Sequence, residues 1–380
     1  MANTLTNLLP DIYTALNVVS REKIGLVQSV STDAQAESAA IGQTVYAPVV
    51  PEMTASDITA NNISPDGADT QVDNVPVQIT NQKMVTFRYT GEEQRGLGIN
   101  YPTITQQSFQ QAFRTISNLV EADLAGLYVS ASRAHGTAGT TPFGTADDFT
   151  DATNVMKILD DNGAPSAGRS LILNTTAAAQ ALGKQPAMFK INEAASDAMV
   201  RRGLFEDLFG FNVGVSGKIV NHTKGTGTGY LVNKSAGMAV GDTSVPVDTG
   251  TGTILAGDIV TFATDTNKYV VSTDLAANTL TINKPGNRDA TIANNAAITV
   301  GDSYAANMAF SRDAFLLAAR APYLPEGGDS ADDTTYVTDP VSGLTFEVSL
   351  YRQFRQTTIM VGLAWGVKAV KPQHAALLLG

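Results

Sequence analysis

The sequence predicts an α+β protein that consists, in chain order, of an N-terminal arm, an extended β-hairpin loop, a long helix, an α/β domain and an inserted all-β domain. Three observations lead to this prediction. Residues 105–133 carry one continuous apolar stripe at helical spacing. Alternating strand patterns lie before and after this stripe in the chain, and residues 222–302 contain short β-rich runs with almost no helix signal.

The composition is that of a folded protein with few charges. Of 380 residues 43% are hydrophobic and only 16% are charged, which argues against disorder. Low charge also suits a protein that buries much of its surface against neighbours. The net charge of -11, without a basic run, disfavours a tight grip on nucleic acid; it suits a container wall and equally a merely soluble protein.

The absence of cysteine excludes disulfides and cysteine-bound zinc. The N-terminus lacks the pattern of a signal peptide, and no stretch reaches the roughly 20 apolar residues of a membrane span. We therefore expect neither secretion nor a membrane location.

The N-terminal arm contains a short amphipathic helix in this prediction. Apolar residues at spacings of four, four and three define it: Leu8, Ile12, Leu16 and Val19. Pro10 and Asp11 suit its first turn. The helix either docks on its own domain or lies on a neighbouring subunit.

An extended hairpin follows at about residues 45–90. Its arms are TVYAPVV and the runs VPVQIT and KMVTFRYTG, and a long polar tip joins them. In the last run Val85, Phe87 and Tyr89 alternate with Met84, Thr86 and Arg88. A two-stranded ribbon is marginal by itself in water, so we expect a partner subunit to hold it.

The long helix is predicted from Thr105 to about Arg133 and would be roughly 40 Å long. Its stripe comprises Phe109, Phe113, Ile116, Val120, Leu124, Leu127 and Ala131. The opposite face is polar and is expected to be exposed: Gln107, Gln111, Arg114, Ser117 and Asp123. Such a helix is expected to act as a spine for the surrounding sheets.

Helix and strand patterns then alternate. Residues 147–159 predict a helix, GRSLILN a buried strand, TTAAAQALG a short helix and FNVGV a strand, which together indicate a compact α/β domain. Residues 222–302 predict a small barrel or sandwich whose ends lie close together, with the strands GYLVN, GMAVG, DIVTFA, KYVVS, TLTIN and AITVG.

The C-terminal region returns to strands. MAFSRDAFLLAAR couples a strand to a helix or turn, and TFEVSLYR alternates as a strand. In TIMVGLAWGVKAV large residues alternate with glycine and alanine. We expect the large side to pack on a helix and backbone to approach the small side closely.

No catalytic or metal-binding constellation is evident. His135, His222 and His374 lie in turn-like or terminal contexts and are predicted to be surface or loop residues. The Gly-rich GTGTG lacks the G-K-[ST] of a phosphate-binding loop and is interpreted as a turn. The Asp pairs at 147–148, 160–161 and 332–333 lack a calcium pattern and are interpreted as helix caps or solvated loops. No cofactor is expected.

This order of parts resembles the major capsid proteins of tailed bacteriophages. NMAFSRDAFLLAARAPYLPEGG resembles the family's return from axial to peripheral domain, and FRQTTIMVGLAWGVKAVKPQHAALLL its closing strand. The single inserted β-domain is most similar to coat proteins of short-tailed lambdoid phages. The resemblance implies these divisions: arm 1–44, hairpin loop 45–95, peripheral domain with the spine helix 96–140, axial domain 141–221, β-barrel-like insert 222–302, return 303–325 and peripheral strands 326–380.

The resemblance further implies a non-enzymatic shell subunit that forms hexamers and pentamers, assembles in the host cytoplasm with scaffolding protein and portal, and encloses DNA without sequence-specific binding. The implied location is the virion capsid, and noncovalent holding is expected. Candidate subunit contacts are Ile12, Leu16, Phe87, Tyr89, Glu92, Glu93 and Arg95.

Two other interpretations are weighed against this one. A β-rich surface or S-layer-like binding protein would explain the Thr/Gly-rich strands but not the spine helix. An α/β enzyme with a carbohydrate-binding β-domain would require a catalytic constellation, and none is evident in the sequence.

Overall fold

The computed structural model describes residues 24–33, 38–49, 73–146, 148–184, 207–288, 292–339 and 342–380. The helix predicted around Ile12 and Leu16 lies outside these residues. Within them the chain has an α+β fold, with helices packed on mixed sheets. No helix in these ranges is long and apolar enough to cross a membrane.

The described helices are few, and one is much longer than the rest. Their bounds are α1 Leu26–Ser29, α2 Gly91–Leu97, α3 Tyr101–Ala125, α4 Thr150–Asp161 and α5 Thr175–Lys184. The spine helix α3 begins four residues before its predicted start, because Pro102 is accommodated in its first turn. It ends at Ala125, before the predicted Arg133, and a 3-10 turn over Gly126–Ser130 follows.

The first sheet is built around one long strand, β20. Its strands are β1 Ser31–Asp33, β4 Asn81–Thr90, β17 Phe315–Arg320, β18 Asp333–Thr338, β19 Thr345–Gln353 and β20 Gln356–Ala369. β20 pairs with β4 along one side, over 356–365. Along its other side it pairs with β19 and then with β17. This sheet therefore depends on β20 for its continuity.

The spine helix covers one face of the first sheet, as the alternation in β20 predicts. Phe109, Phe113, Ile116 and Val120 of α3 are fully buried in one core with Val361, Leu363 and Trp365 of β20. The ring centroids of Phe87 and Phe109 are 5.0 Å apart, and those of Phe113 and Phe346 are 5.1 Å apart. Apolar burial of this kind contributes about 25 cal/mol per Å².

The small side of β20 also behaves as predicted. A Cβ atom on Gly366 would lie only 2.1 Å from the carbonyl oxygen of Gln78, so backbone comes close there. Next to this contact, Ile79 is buried with Ala39 and Ala364.

The two-stranded ribbon that precedes Ile79 in the chain is shorter than the predicted hairpin. β2 (Thr44–Val49) pairs with β3 (Asp73–Gln78) in a two-stranded antiparallel sheet. The predicted second arm also included the run that forms β4, but β4 belongs to the first sheet. The buried Ile79 separates the two, because it anchors the chain to Ala364 before β4 begins. The tip of the hairpin lies outside the described residues.

The second sheet contains the α/β part. Its strands are β5 Arg133–His135, β6 Arg169–Leu173, β7 Asp207–Leu208, β8 Phe211–Val215, β9 Asn221–His222, β16 Tyr304–Ser311 and β21 Ala375–Leu379. β6 and β8 are parallel, and β16 lies antiparallel between β6 and β21. Residues of α4 and α5 share a buried core with this sheet, as the predicted helix–strand alternation implies.

The β-rich region 222–302 has a hydrophobic core of its own. Its strands are β10 Leu231–Val232, β11 Ser244–Asp248, β12 Ile259–Phe262, β13 Lys268–Ala276, β14 Thr279–Ile282 and β15 Ile298–Val300. Its two ends meet where His222 pairs with Tyr304. The region also continues the second sheet, because β13 pairs with β5.

Two strand predictions in this region were wrong. GMAVG forms no strand, although Met238 is buried in the core. β11 was missed because Pro246 interrupts its pattern. The proline is accommodated although β11 pairs with both β10 and β14. The Pro246 carbonyl accepts from the Asn233 amide at 2.8 Å, and the neighbouring Val245 and Val247 are buried.

We expect Gly366→Ala to lower the free energy of unfolding by about 1–3 kcal/mol, because the added methyl group collides with the Gln78 carbonyl. Denaturant titration measures the change. Gly126→Ala is the matched control, since a Cβ at Gly126 meets nothing within 4 Å. Equal stability of the two variants would contradict the close approach.

Candidate assembly surface and buried polar junctions

The Gly-rich loop GTGTG shows no capacity to cradle a phosphate. The Gly227 amide donates to the carbonyl oxygen of Thr253 at 2.7 Å, and the Thr228 amide donates to that of Thr251 at 2.9 Å. The Gly225 amide donates to the Asp258 carboxylate. Because these donors are already used, they are not available to a phosphate. The segment connects β9 to β10, but it is not a tight turn, since Thr228 and Thr251 form an antiparallel bridge. In the described ranges no group of three or more acidic, histidine or cysteine side chains could hold a metal.

The surface prediction for His222 was wrong. Its side chain is buried, with Nε2 2.8 Å from Asp258 Oδ1 and Nδ1 2.8 Å from the Tyr128 hydroxyl. Burial raises the pKa of the Tyr128 hydroxyl, and the Asp258 charge adds to the rise. The local sequence around His222 is turn-like, and the partners that bury it are 36 and 94 residues away.

The other two histidines differ from each other. His374 is also buried, which corrects the surface prediction for it. His135 is partly exposed, and its Nε2 lies 3.6 Å from Asp151 Oδ1. The adjacent His135 ring is the largest cause of the lowered pKa of Asp151.

A buried polar junction joins the β-rich region to the end of the spine helix. Asn283 Nδ2 donates to the carbonyl oxygens of Val129 and Ala131, at 2.7 and 2.8 Å. The Tyr304 hydroxyl donates to the Gly257 carbonyl at 2.6 Å. These bonds supplement the contact between His222 and Tyr128, so the chain that leaves α3 is held by the β-rich region over several residues.

A second buried junction was missed entirely by the sequence analysis. Glu121 of α3 is 1% exposed, and its carboxylate accepts hydrogen bonds from three successive backbone amides. The donors are Gly25 and Leu26 at 2.9 Å and Val27 at 3.1 Å, at the start of α1. An anion is favourable at this place, because the first amides of a helix have no partner within it. No local sequence pattern predicts the contact between Glu121 and these amides, since about 95 residues separate them.

The polar face of α3 is thus less exposed than predicted. Ser117 is buried, and Asp123 is partly buried. Asp123 Oδ2 accepts from Asn81 Nδ2 at 2.8 Å and from the Trp365 indole nitrogen at 2.7 Å. One carboxylate therefore connects the spine helix to both β4 and β20.

The Asp160–Asp161 pair is not merely a cap or a solvated loop. Asp160 Oδ1 lies 2.7 Å from Arg169, and Asp161 Oδ2 lies 3.1 Å from Arg133. Both arginines are buried, so the two carboxylates offset buried positive charge at the end of α4. Asp148, one residue before the N-cap Phe149 of α4, accepts from the Thr150 amide at 2.8 Å, while Asp147 lies outside the described residues.

Of the candidate subunit contacts, Phe87 and Tyr89 point towards their own spine helix. The Tyr89 hydroxyl is 2.6 Å from Ser108 Oγ. Glu93 forms a capping box with Thr90, whose hydrogen bonds lower the pKa of Glu93. Glu92 Oε1 lies 3.8 Å from Arg355, and Arg95 is in the last turn of α2. Contacts of these residues with another subunit stay predictions.

The structure exposes other large apolar side chains that the sequence analysis did not select. Ile99 is 97% exposed and Phe354 is 92% exposed. Phe354 lies in the turn between β19 and β20, next to the start of α2, where the Gly91 amide donates to the Arg355 carbonyl at 3.2 Å. Tyr46 on the ribbon is 65% exposed. Large apolar groups at this exposure are candidates for contact with other molecules.

Glu347 is a buried carboxyl group in the first sheet. Ser349 Oγ donates to its Oε1 at 2.9 Å, and within the described chain its Oε2 has no hydrogen-bond partner. Burial raises the pKa of Glu347 above its ordinary value.

No family model matches the sequence. No curated protein matches it either. Among solved structures, the capsid structure of the cyanophage P-SCSP1u is similar, with a TM-score of 0.49 and 10% identity over 93% of this chain and 86% of that one. A structure from Mycobacterium phage Che8 has a TM-score of 0.45 and 13% identity over 89% and 84%. A virus-like particle from Pyrococcus furiosus has a TM-score of 0.45 and 11% identity over 98% and 100%.

Replacing Glu121 by glutamine is expected to lower the free energy of unfolding by about 2–3 kcal/mol, because one acceptor becomes an amide that faces backbone donors. Hydrogen exchange should show that the amides of Gly25, Leu26 and Val27 lose protection first. Glu92→Gln, at an exposed site, should change stability by less than about 0.5 kcal/mol. Unchanged protection at the three amides would refute the capping role.

For Glu347→Gln we expect a gain in stability that grows with pH. Below the ordinary pKa of 4.5 the carboxyl is protonated in both folded and unfolded chains, so ionisation costs nothing. As pH rises through the raised pKa, the folded state loses stability relative to the unfolded state. Unfolding titrations of both proteins at pH 4, 6 and 8 test this. The exposed Glu326→Gln should show no such trend, and a gain that shrinks with pH would contradict the assignment.

Proposed function

We propose that this chain is the major subunit of a tailed-phage capsid, a non-enzymatic protein whose copies assemble into a closed icosahedral shell around packaged double-stranded DNA. The observation that supports this most is the order of its parts, and in particular the place in the fold of two stretches of sequence. The two stretches that resemble the capsid family, 307–328 and 354–379, carry the chain between the first and the second sheet. They therefore coincide with the part of the fold that connects its two halves.

The surface supports a role in self-association. Charge is low, and large apolar side chains are exposed at the ribbon and at the turn between β19 and β20. The ribbon is only two strands wide, which is marginal without further contacts. A neighbouring copy would supply these contacts, and many moderate contacts stabilise a closed shell without any one of them being irreversible.

In this proposal the parts divide the work. The arm (1–44) and hairpin loop (45–95) reach over neighbours, the axial part (141–221) converges on the axis of hexamers and pentamers, and the spine helix with the last strands forms the periphery. The inserted β-region, which resembles the single insert of coat proteins of short-tailed lambdoid phages, braces its own subunit or touches a neighbour. The bonds from Asn283 and His222 to the end of the spine helix support the bracing role.

The remaining features of the proposal follow from the family resemblance. Assembly takes place in the host cytoplasm with scaffolding protein and a portal, and the shell becomes the virion capsid. The acidic charge of -11 is compatible with a wall that encloses DNA without binding it sequence-specifically.

Purified full-length protein is expected to form closed shells, tubes or capsomers that are visible by negative-stain electron microscopy. A chain that stays monomeric at high concentration, with its fold intact by circular dichroism, would contradict the proposal.

Tyr46→Ser tests the ribbon within this proposal. The substitution removes an exposed aromatic side chain, so the melting temperature should stay the same while assembly requires a higher protein concentration. The increase is about tenfold for each 1.4 kcal/mol of lost contact energy. Thr44→Ser on the same strand is the matched control and should assemble like the wild type. Identical assembly of both variants would exclude Tyr46 from the contact.

A further inference from the structure

Besides the passage from β4 through the spine helix to β5, the chain passes between the two sheets at two adjacent turns. One turn, Arg312–Ala314, leads from β16 to β17, and the other, Pro372–His374, leads from β20 to β21. The amides of Val370 and Lys371 both donate to the Ala314 carbonyl, at 2.8 and 3.2 Å. We call this pair of turns the crossover joint. Two of the connections between the sheets pass through it, so the crossover joint contributes to their relative orientation.

A histidine is buried in the crossover joint. The His374 side chain is 7% exposed, and no described group forms a hydrogen bond with its Nδ1. A neutral imidazole tolerates an unpartnered acceptor nitrogen at moderate cost, whereas an imidazolium would place an unpartnered N–H and a positive charge in the same position.

We propose that the crossover joint is acid-sensitive, and that protonation of His374 weakens the contacts that hold the two turns together. The inference concerns the single chain and does not depend on whether copies assemble.

The charges that face His374 favour its neutral form. Lys371 lies on its own turn, and Arg169 faces it from β6. Arg169 is offset by Asp160, which is 2.7 Å away. Asp313 of the opposite turn is the compensating carboxylate, and it also accepts from Ser31 Oγ at 3.1 Å. Burial, Lys371 and Arg169 therefore favour the neutral imidazole, and only the Asp313 carboxylate among these groups favours the protonated one.

The sign of the pH dependence follows from the pKa. Burial first and Lys371 second hold the pKa of His374 below its ordinary value of 6.5. The unfolded chain therefore takes up the proton more readily than the folded chain as the pH falls. The stability contributed by neutral His374 is complete above pH 6.5 and is lost progressively below it.

The test is hydrogen exchange of the full-length protein at pH 7 and pH 5, corrected for intrinsic exchange rates, with His374→Asn as the non-titrating variant. In the wild type, peptides that contain Val370 and Lys371 should lose protection at pH 5, by up to about thirtyfold, because pH 5 lies about 1.5 units below the ordinary pKa of 6.5. Peptides of β13 and β19 should not lose protection. In His374→Asn the acid-dependent loss should disappear.

His135→Asn is the control, because it removes a histidine outside the joint and should keep the wild-type loss. An equal loss in His374→Asn and the wild type, or no loss in the wild type, overturns the proposal.

If His374→Asn does not fold, an NMR titration of the His374 ring in the wild type decides. A pKa below 6.5 supports the proposal, and one at or above 6.5 overturns it.

Discussion

The packing of the spine helix α3 on strand β20 is the interaction on which the rest of the structure depends. Four fully buried side chains of α3 share a core with Val361, Leu363 and Trp365. Asp123 fixes the register of this packing, because its carboxylate accepts from Trp365 and from Asn81. β20 in turn pairs with β4, β17 and β19, so the position of α3 relative to one strand determines how the first sheet is covered.

Buried polar groups connect the other parts to this core. Glu121 holds the start of α1, and the His222–Asp258 pair together with Tyr128 holds the β-rich region. Buried ionic groups contribute little net stability when they replace apolar packing, but removing one partner is costly. Their effect here is to specify one arrangement of parts. Apolar surfaces alone would allow several arrangements, because hydrophobic contact is non-directional.

Regular elements were predicted where one periodicity persisted. The spine helix, β6, β8, β19 and β20 follow from the sequence pattern, as does the alternation of Val85, Phe87 and Tyr89. That Phe87 and Tyr89 face their own spine helix was not predicted. Prediction failed where a local signal conflicted with long-range pairing. Pro246 concealed β11, although its strand has partners on both sides. The run around Met238 looked like a strand, yet the chain there contributes a buried side chain without pairing.

The sequence by itself determined the helical stripe of α3, the large and small sides of β20, and the change from mixed to all-β character at residues 222–302, because each of these is a repeat among near neighbours in the chain. The tertiary structure alone decided that Glu121, His222 and His374 are buried. It also decided that β4 joins the first sheet instead of the ribbon. Groups 36 to 284 residues away set these outcomes. Periodicity shows which face of an element is apolar, but the identity of its partner depends on how distant segments meet in the fold.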